Sequence, residues 1–584
     1  MLFKLRNNIP LEGDVALAKQ ELEVLVGDKV QPVGVEALQQ WFARGWILPK
    51  DAELHREGTV GFVWRGNRCD VSRLFWRVSF CEQIFGVAPD TETARSALSS
   101  LPDSFLRTER LDTGDLVFMV VPFNAIAEWS DVIARRVDSP RAVPSWLDHL
   151  CDALVSKRYS DLPASLRPIL TAKQTTGHLF HGLHVYKAKF FPRLARAFLN
   201  LSGGATVLDP FAGSGTALTE ASVMGLSAIG VDIDPLSVAI AQAKASLLAR
   251  PAEYLERIGE VQQRLAGVDK SQPSLFAIAE SSARYALTPA FLRPRIPEPT
   301  LREVEADVAE ILNALYDMPP RSPLHIALSD ALSRKFKFRF LGLGYGRFSL
   351  NILPRRVRTM YLDNLRAMAN SIAAWLWLRE HTGVRPAPMA AIQGDARQIP
   401  LSSESVDSVV TSPPYMPASS GRENYLKSKA YAMTVLGMVA HDAIDALEAD
   451  QIGSIQRAEP IHDLPPEIVE VIEWMQRDPT RCVKAAATAS YFIDIRKSLC
   501  EIQRVLKPGG KCAYVVARRH VFYRYKSREV VRVVESAELT AELARQAGLE
   551  VVDCIHVELQ KQNTVARPRS LDAYYETVIL LRKG

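Results

Sequence analysis

One stretch of eight residues does most to limit what this chain can become: Asp209-Pro210-Phe211-Ala212-Gly213-Ser214-Gly215-Thr216. It follows an apolar run at 205–208 that reads as a strand, and it opens a run at 214–224 that reads as a helix stopped by Gly225. Glycine lets the backbone approach a ligand closely, and the first turn of the helix offers N–H groups with no partner inside it. A second strand at 227–231 and a second helix at 236–248 follow. This strand-helix-strand order predicts a parallel, doubly wound sheet that holds its ligand beyond the strand ends.

The alternation stops near Arg250 and resumes at Ala390. Residues 251–385 read as a helical insertion, with helices at 301–316 and 357–380. Beyond it come strands at 406–410, 511–516, 551–559 and 576–581, helices at 491–506 and 539–548, and a second insertion at 417–485. Residues 1–145 read as a separate N-terminal α+β domain, with a helix at 16–26, strands at 60–64 and 116–121, and a proline-bearing linker at 138–144. The fold class is therefore α/β: one Rossmann-like sheet built from 146–250 and 386–584, interrupted by the 251–385 insertion, which is the candidate target-recognition region.

Composition excludes several classes. The seven cysteines show no CxxC spacing, so neither a zinc ribbon nor a disulfide framework is indicated, and reduced thiols in a cytoplasmic protein are expected. No apolar run approaches the roughly 20 residues of a membrane span, and the N-terminus lacks a signal-peptide profile. A net charge of +5 is compatible with a nucleic-acid partner without requiring one.

Three further elements carry chemistry. In Gly230-Val231-Asp232-Ile233-Asp234, an acid ending the second strand suits a ribose diol. Asp232 is the candidate and Asp234 the helix cap, with the reverse assignment open. Asp395, in Gly394-Asp395-Ala396, could accept from an adenine amino group. The third is Val410-Thr411-Ser412-Pro413-Pro414-Tyr415. Two prolines ending an apolar strand form a stiff corner that presents carbonyls. An exocyclic amine is a poor nucleophile because its lone pair is delocalised into the ring. The Ser412 hydroxyl and Pro413 carbonyl can accept its N–H bonds, draw the lone pair out of conjugation and aim it at a methyl sulfonium. Tyr415 offers a face for a flipped base.

DPFAGSGT with a downstream TSPPY resembles the amino-group DNA methyltransferases, and the serine of SPPY resembles the N4-cytosine branch. Residues 184–192, His184 to Pro192, resemble the element that in this family precedes the glycine loop and closes over the methionine part of the cofactor. Residues 505–511 are similar to the turn before the fifth strand, and 431–453 also looks like part of these enzymes. The resemblance implies a class I methyltransferase sheet, S-adenosyl-L-methionine as cofactor, a DNA substrate and a restriction enzyme or defence-system partner. It implies cofactor contacts from Lys189, Phe190, Asp209, Phe211, Gly213, Gly215, Thr216, Asp232, Asp395 and Thr411, and catalytic roles for Ser412, Pro413, Pro414 and Tyr415. Cytosine-C5 chemistry is set aside, because no cysteine follows a proline.

Residues 331–362 carry no acid and interleave Arg334, Lys337, Arg355, Arg356 and Arg358 with aromatics, as a phosphate-tracking surface would. A solvated basic face is the plain alternative. Arg518 and Arg519 follow a predicted strand, and Arg567 and Arg569 lie between the last two. His178, His181 and His184 have no acid or cysteine close in sequence, so no metal is expected. Two other readings stand beside DNA N4-cytosine methylation: a tRNA guanosine-N2 methyltransferase, and a non-catalytic nucleic-acid-binding subunit.

Overall fold

In the computed structural model, all residues are described except 7–11, 39–57, 67–69, 157–162, 171–175, 187–188, 268–287, 290, 341–347, 417–425, 441–442, 455–462, 525–526, 528 and 559–574. Strands β1 (Leu2–Leu5), β2 (Gln31–Val33), β3 (Gly61–Val63), β4 (Cys81–Pro89), β5 (Leu106–Arg110) and β6 (Asp115–Val120) form an antiparallel sheet in the order β2-β3-β1-β4-β6-β5. A second, seven-stranded sheet contains β7 (Thr206–Asp209), β8 (Ser227–Asp232), β11 (Met389–Gln393), β12 (Val406–Thr411), β13 (Leu506–Ala517), β16 (Leu549–Glu558) and β17 (Tyr575–Lys583). Two hairpins complete the strands: β9 (Phe336–Phe340) with β10 (Phe348–Ile352), and β14 (His520–Tyr523) with β15 (Val530–Val534).

The seven-stranded sheet runs β11-β8-β7-β12-β13-β17-β16. The first five strands are parallel and β17 is antiparallel to both neighbours. Strand order reverses between β7 and β12, the place where open α/β sheets bind ligands. This is the Rossmann-like class I methyltransferase fold.

The period-two pattern explains why these runs are strands. Val207, Val410 and Ala513 join one core, and Leu208, Val409 and Cys512 join the other. Both faces are covered, so the parallel strands read as continuous apolar runs. Helices Pro192–Ser202, Thr216–Val223 and Pro235–Ala249 supply the first core, and Pro466–Arg477, Cys482–Val505 and Ser536–Gln546 the second.

The expected linker at 138–144 is not an extended connection. Ser139 caps a short helical turn, Pro140–Ala142, that runs into helix Val143–Val155, where Val143 and Leu147 are fully buried. Helices of the N-terminal region are bolted to helix Pro192–Ser202 by buried polar contacts. Arg193 pairs with Glu128 at 2.9 Å, the Asn200 amide donates to Glu21 at 2.7 Å, and Arg196 donates to the Trp76 carbonyl at 2.8 Å. The 251–385 insertion is helical as predicted at Glu298–Ala314 and Val357–Thr382, but the β9-β10 hairpin lies within it. Among the described residues, no helix is long and apolar enough to cross a membrane.

Candidate active site

The glycine loop leaves β7 at Asp209, whose Oδ1 accepts from the Phe211 amide at 3.1 Å and the Thr411 hydroxyl at 2.6 Å. Burial pushes the Asp209 carboxyl up to about 7, against these two hydrogen bonds. Gly213 (φ +49°) and Gly215 (φ +72°) take left-handed backbone. A Cβ at Gly213 would lie 3.2 Å from the Tyr186 hydroxyl, and one at Gly215 would lie 2.7 Å from the Ala241 side chain.

The ribose candidates separate cleanly. Asp234 accepts from the Leu236 amide at 2.9 Å and the Ser237 hydroxyl at 2.7 Å, which makes it the helix cap. Asp232 Oδ2 accepts from the Gly213 amide at 2.7 Å and its Oδ1 from the Asp234 amide at 2.9 Å, so it faces the loop. Burial, followed by the neighbouring Asp234, pushes Asp232 up to about 6. Opposite Asp232 in register is Gln393, the last residue of β11, and Asp395 follows it on the same sheet edge. The Arg397 guanidinium holds Asp395 at 2.9 and 3.0 Å through Nε and also reaches Asp494 at 3.1 Å.

This cradle fits an adenosyl group. A side chain at Gly213 would crowd Tyr186 and one at Gly215 would clash with Ala241, two acids stand at the ends of adjacent strands, and the buried Thr216 hydroxyl, at the first turn of its helix, has no protein hydrogen-bond partner. Phe211 is half-buried beside the loop, against the second core.

Three of the expected cofactor contacts also make contacts within the protein. Thr411 is fully buried at the end of β12 and spends its hydroxyl on Asp209, so it joins the two motifs. Lys189 donates to the Thr176 and His181 carbonyls, closing the segment that precedes the glycine loop, and burial drives its ammonium down to about 7. Phe190 packs against Phe198 with ring centroids 5.8 Å apart. Among the described residues of that segment, Tyr186 reaches the glycine loop.

Leu179 (φ +49°) and Phe180 (φ +65°) occupy left-handed backbone, a strained arrangement for such residues. The turn brings His178 and His181 onto Glu220, with Nε2 to Oε1 distances of 3.4 and 2.8 Å. No acid lies close to these histidines in sequence, but one arrives from the helix behind the glycine loop, and the three are of metal-ligand type. Arg196 holds the second carboxylate oxygen at 2.8 Å. Burial opposes the charge, yet Arg196 and the two histidines keep Glu220 well below the usual carboxylate range.

The second motif leaves β12 beside β7, since Ser408 and Val409 pair with Val207 and Leu208. Ser412 and Tyr415 are half-buried, Pro413 is buried and Pro414 is exposed. The Tyr415 hydroxyl donates to Glu576, near the start of β17. Because β17 runs antiparallel, its start lies at the carboxyl edge of the parallel strands. Burial pushes the Glu576 carboxyl up, against the Tyr415 hydrogen bond.

The basic residues divide. Arg355 pairs with Asp363, Arg356 with the fully buried Asp307, and Arg358 with Glu310 at 2.7 Å and the Leu265 carbonyl. These three brace the insertion. Arg334 pairs with Asp330 at 2.6 Å, while Lys337 is exposed on β9. Arg519 pairs with Glu535 at 3.2 Å, and Arg518 is half-buried just beyond β13. Arg567 and Arg569 lie outside the described residues.

Residues 184–292 match the family described as RMKL-like, methyltransferase domain. The chain is 44% identical over 78 residues to Type II methyltransferase M.MjaII of Methanocaldococcus jannaschii, covering 13% of this chain and 14% of that protein. It is 24% identical over 404 residues to Type II methyltransferase M.MvaI of Kocuria varians, covering 64% of this chain and 83% of the relative. A 52-residue stretch is 48% identical to the tRNA (guanine(10)-N2)-dimethyltransferase of Methanothermobacter thermautotrophicus, covering 8% of this chain and 16% of that one. Among solved structures, the rRNA methyltransferase aviRa of Streptomyces viridochromogenes aligns at 13% identity over 74% of this chain and 94% of its own, with a TM-score of 0.26, too low to carry an argument. S-adenosyl-L-methionine is the cofactor that the fold and the matched domain imply.

Proposed function

We propose that this chain transfers a methyl group from S-adenosyl-L-methionine to an exocyclic amino nitrogen of a nucleic-acid base, N4 of cytosine in DNA. One observation carries the reading. The glycine loop and the Ser412–Tyr415 corner leave neighbouring strands at the reversal point of the sheet, tied by the Thr411–Asp209 hydrogen bond. The two Type II relatives support DNA as the substrate, and the serine of the corner supports cytosine.

When bound, the cofactor supplies an electrophilic methyl group. Asp232 accepts the ribose hydroxyls, the glycine loop leaves space for the amino-acid part, and Asp395 accepts from the adenine amine. The Ser412 hydroxyl and Pro413 carbonyl accept the N–H bonds of the target amine and so expose its lone pair. Tyr415 stacks on the base and Glu576 fixes the ring. Arg334, Lys337, Arg518 and Arg519 supply phosphate contacts from two sides of the rim.

A second reading, guanine-N2 methylation of tRNA, is favoured by the 48% identity to the archaeal tRNA enzyme. Incubating the full chain with labelled S-adenosyl-L-methionine and either DNA or tRNA, then analysing nucleosides by mass spectrometry, tests both. N4-methylcytosine in DNA is the expected product. N2-methylguanosine in tRNA, or N6-methyladenine in DNA, as sole product overturns the base assignment.

A further inference from the structure

Lys429 belongs to the segment between the Ser412–Tyr415 corner and helix Cys482–Val505, far in sequence from the glycine loop. It is only 7% exposed. Burying an ammonium is costly unless it is paired, and this one pairs with Asp234, the cap of helix Pro235–Ala249. The same ammonium sits 4.4 Å from the centroid of the Tyr186 ring. That ring is held at its other end by a 2.8 Å hydrogen bond between its hydroxyl and Ser237, which itself donates to Asp234. Tyr186 is also the group that a Cβ at Gly213 would meet. Lys429, Tyr186, Ser237 and Asp234 thus form a closed ring of four contacts beside Gly213 of the glycine loop.

The segment that carries Lys429 is itself fixed. Tyr431 packs edge-on against Phe336 at 5.0 Å and accepts from Thr288 at 3.2 Å. Helix Ala430–Val435 is short and lacks the length to hold its own shape, so tertiary contacts set where Lys429 points.

We infer that Lys429 is a positioning residue for the cofactor: it holds the Tyr186 ring as the outer wall of the pocket formed by Gly213 and Asp232. This rests on the proposed cofactor site. A side chain placed only to stabilise the fold would be satisfied by Asp234 alone. A desolvated cation over a ring, with that ring against the ligand loop, ties the wall to the second insertion.

The test is calorimetric titration of the full chain with S-adenosyl-L-homocysteine. Lys429→Met should raise Kd by about tenfold, the scale of one desolvated cation–π contact. Lys429→Arg, which keeps a cation over the ring, should restore most of that loss. Tyr186→Leu should weaken binding similarly, and the Lys429→Met/Tyr186→Leu double variant should be no weaker than Tyr186→Leu alone. A purely structural lysine would lower the melting temperature of both Lys429 variants without this lack of additivity. Wild-type affinity in folded Lys429→Met, or losses that multiply in the double variant, overturns the inference. If Lys429→Met does not fold, Tyr186→Leu, which leaves the ion pair in place, decides it: unchanged affinity there also overturns it. A wild-type chain that binds no S-adenosyl-L-homocysteine instead overturns the cofactor reading beneath it.

Discussion

The hydroxyl of Tyr415 donates to the carboxyl of Glu576, a residue 161 positions further along the chain. The bond joins the corner after β12 to the antiparallel strand β17 across the rim of the sheet. A stacking ring needs a fixed plane, and a phenol anchored at its far end has one.

Tyr415→Ala should remove the stacking face and lower transfer efficiency about 5- to 150-fold, the equivalent of roughly 1–3 kcal/mol, with cofactor affinity kept. Tyr415→Phe and Glu576→Gln should each cost less, because the ring remains. Steady-state kinetics beside calorimetric cofactor binding separates these effects, and a Tyr415→Ala variant with full activity would remove the tyrosine from the target site.

Gly213→Val should abolish cofactor binding in a folded protein. Valine at φ +49° is strained, and its Cβ would begin 3.2 Å from the Tyr186 hydroxyl. Calorimetry reports affinity while circular dichroism reports folding. Unchanged affinity would remove the loop from the cofactor site.

Cofactor affinity should fall as pH drops through about 6, where Asp232 takes up a proton. Ribose hydroxyls bond best to the ionised carboxylate, so protonation competes with the ligand and binding releases protons near that pH. Titrations between pH 5 and 8, in buffers of different ionisation enthalpy, measure both effects. Asp232→Asn should flatten the profile at a uniformly weaker affinity.

Arg356→Ala should destabilise the protein by about 1–3 kcal/mol, because it strips a partner from the fully buried Asp307. It should leave the salt dependence of nucleic-acid binding nearly unchanged. Lys337→Ala should do the reverse, with the log–log salt slope falling by about one and stability held. Thermal melts and binding isotherms at several salt concentrations check the pair, and a wild-type slope in Lys337→Ala would take β9 out of the interface.

The parallel sheet was legible because its evidence is local: an apolar run, a glycine turn and a helix lie within 40 residues of one another. The β9-β10 hairpin was equally present, since Phe336, Phe338 and Phe340 alternate with Lys337 and Arg339 in the two-residue period of a strand. Reading that stretch for charge concealed its period. Arg355, Arg356 and Arg358 resembled a phosphate-binding run because their carboxylate partners include Asp307 and Glu310, on a helix about 50 residues earlier. Glu576, the reach of Arg397 to Asp494 and the meeting of His178 and His181 with Glu220 had no such local signal, since each of these contacts is made only by folding. Tyr186 was a different case, in a recognised motif whose lysine drew attention from its tyrosine.

The polar bolts between the N-terminal helices and helix Pro192–Ser202 bear on how this molecule comes apart. Arg193 and Asn200 find Glu128 and Glu21 opposite them, and Arg196, already paired with Glu220, also donates to the Trp76 carbonyl. That helix packs directly against Thr216–Val223, which rises from the glycine loop. Melting the first 145 residues would therefore strand charges in the wall supporting the loop, so the two regions should unfold in a single cooperative transition. What reads along the chain as an appendage is, thermodynamically, part of the support beneath the glycine loop.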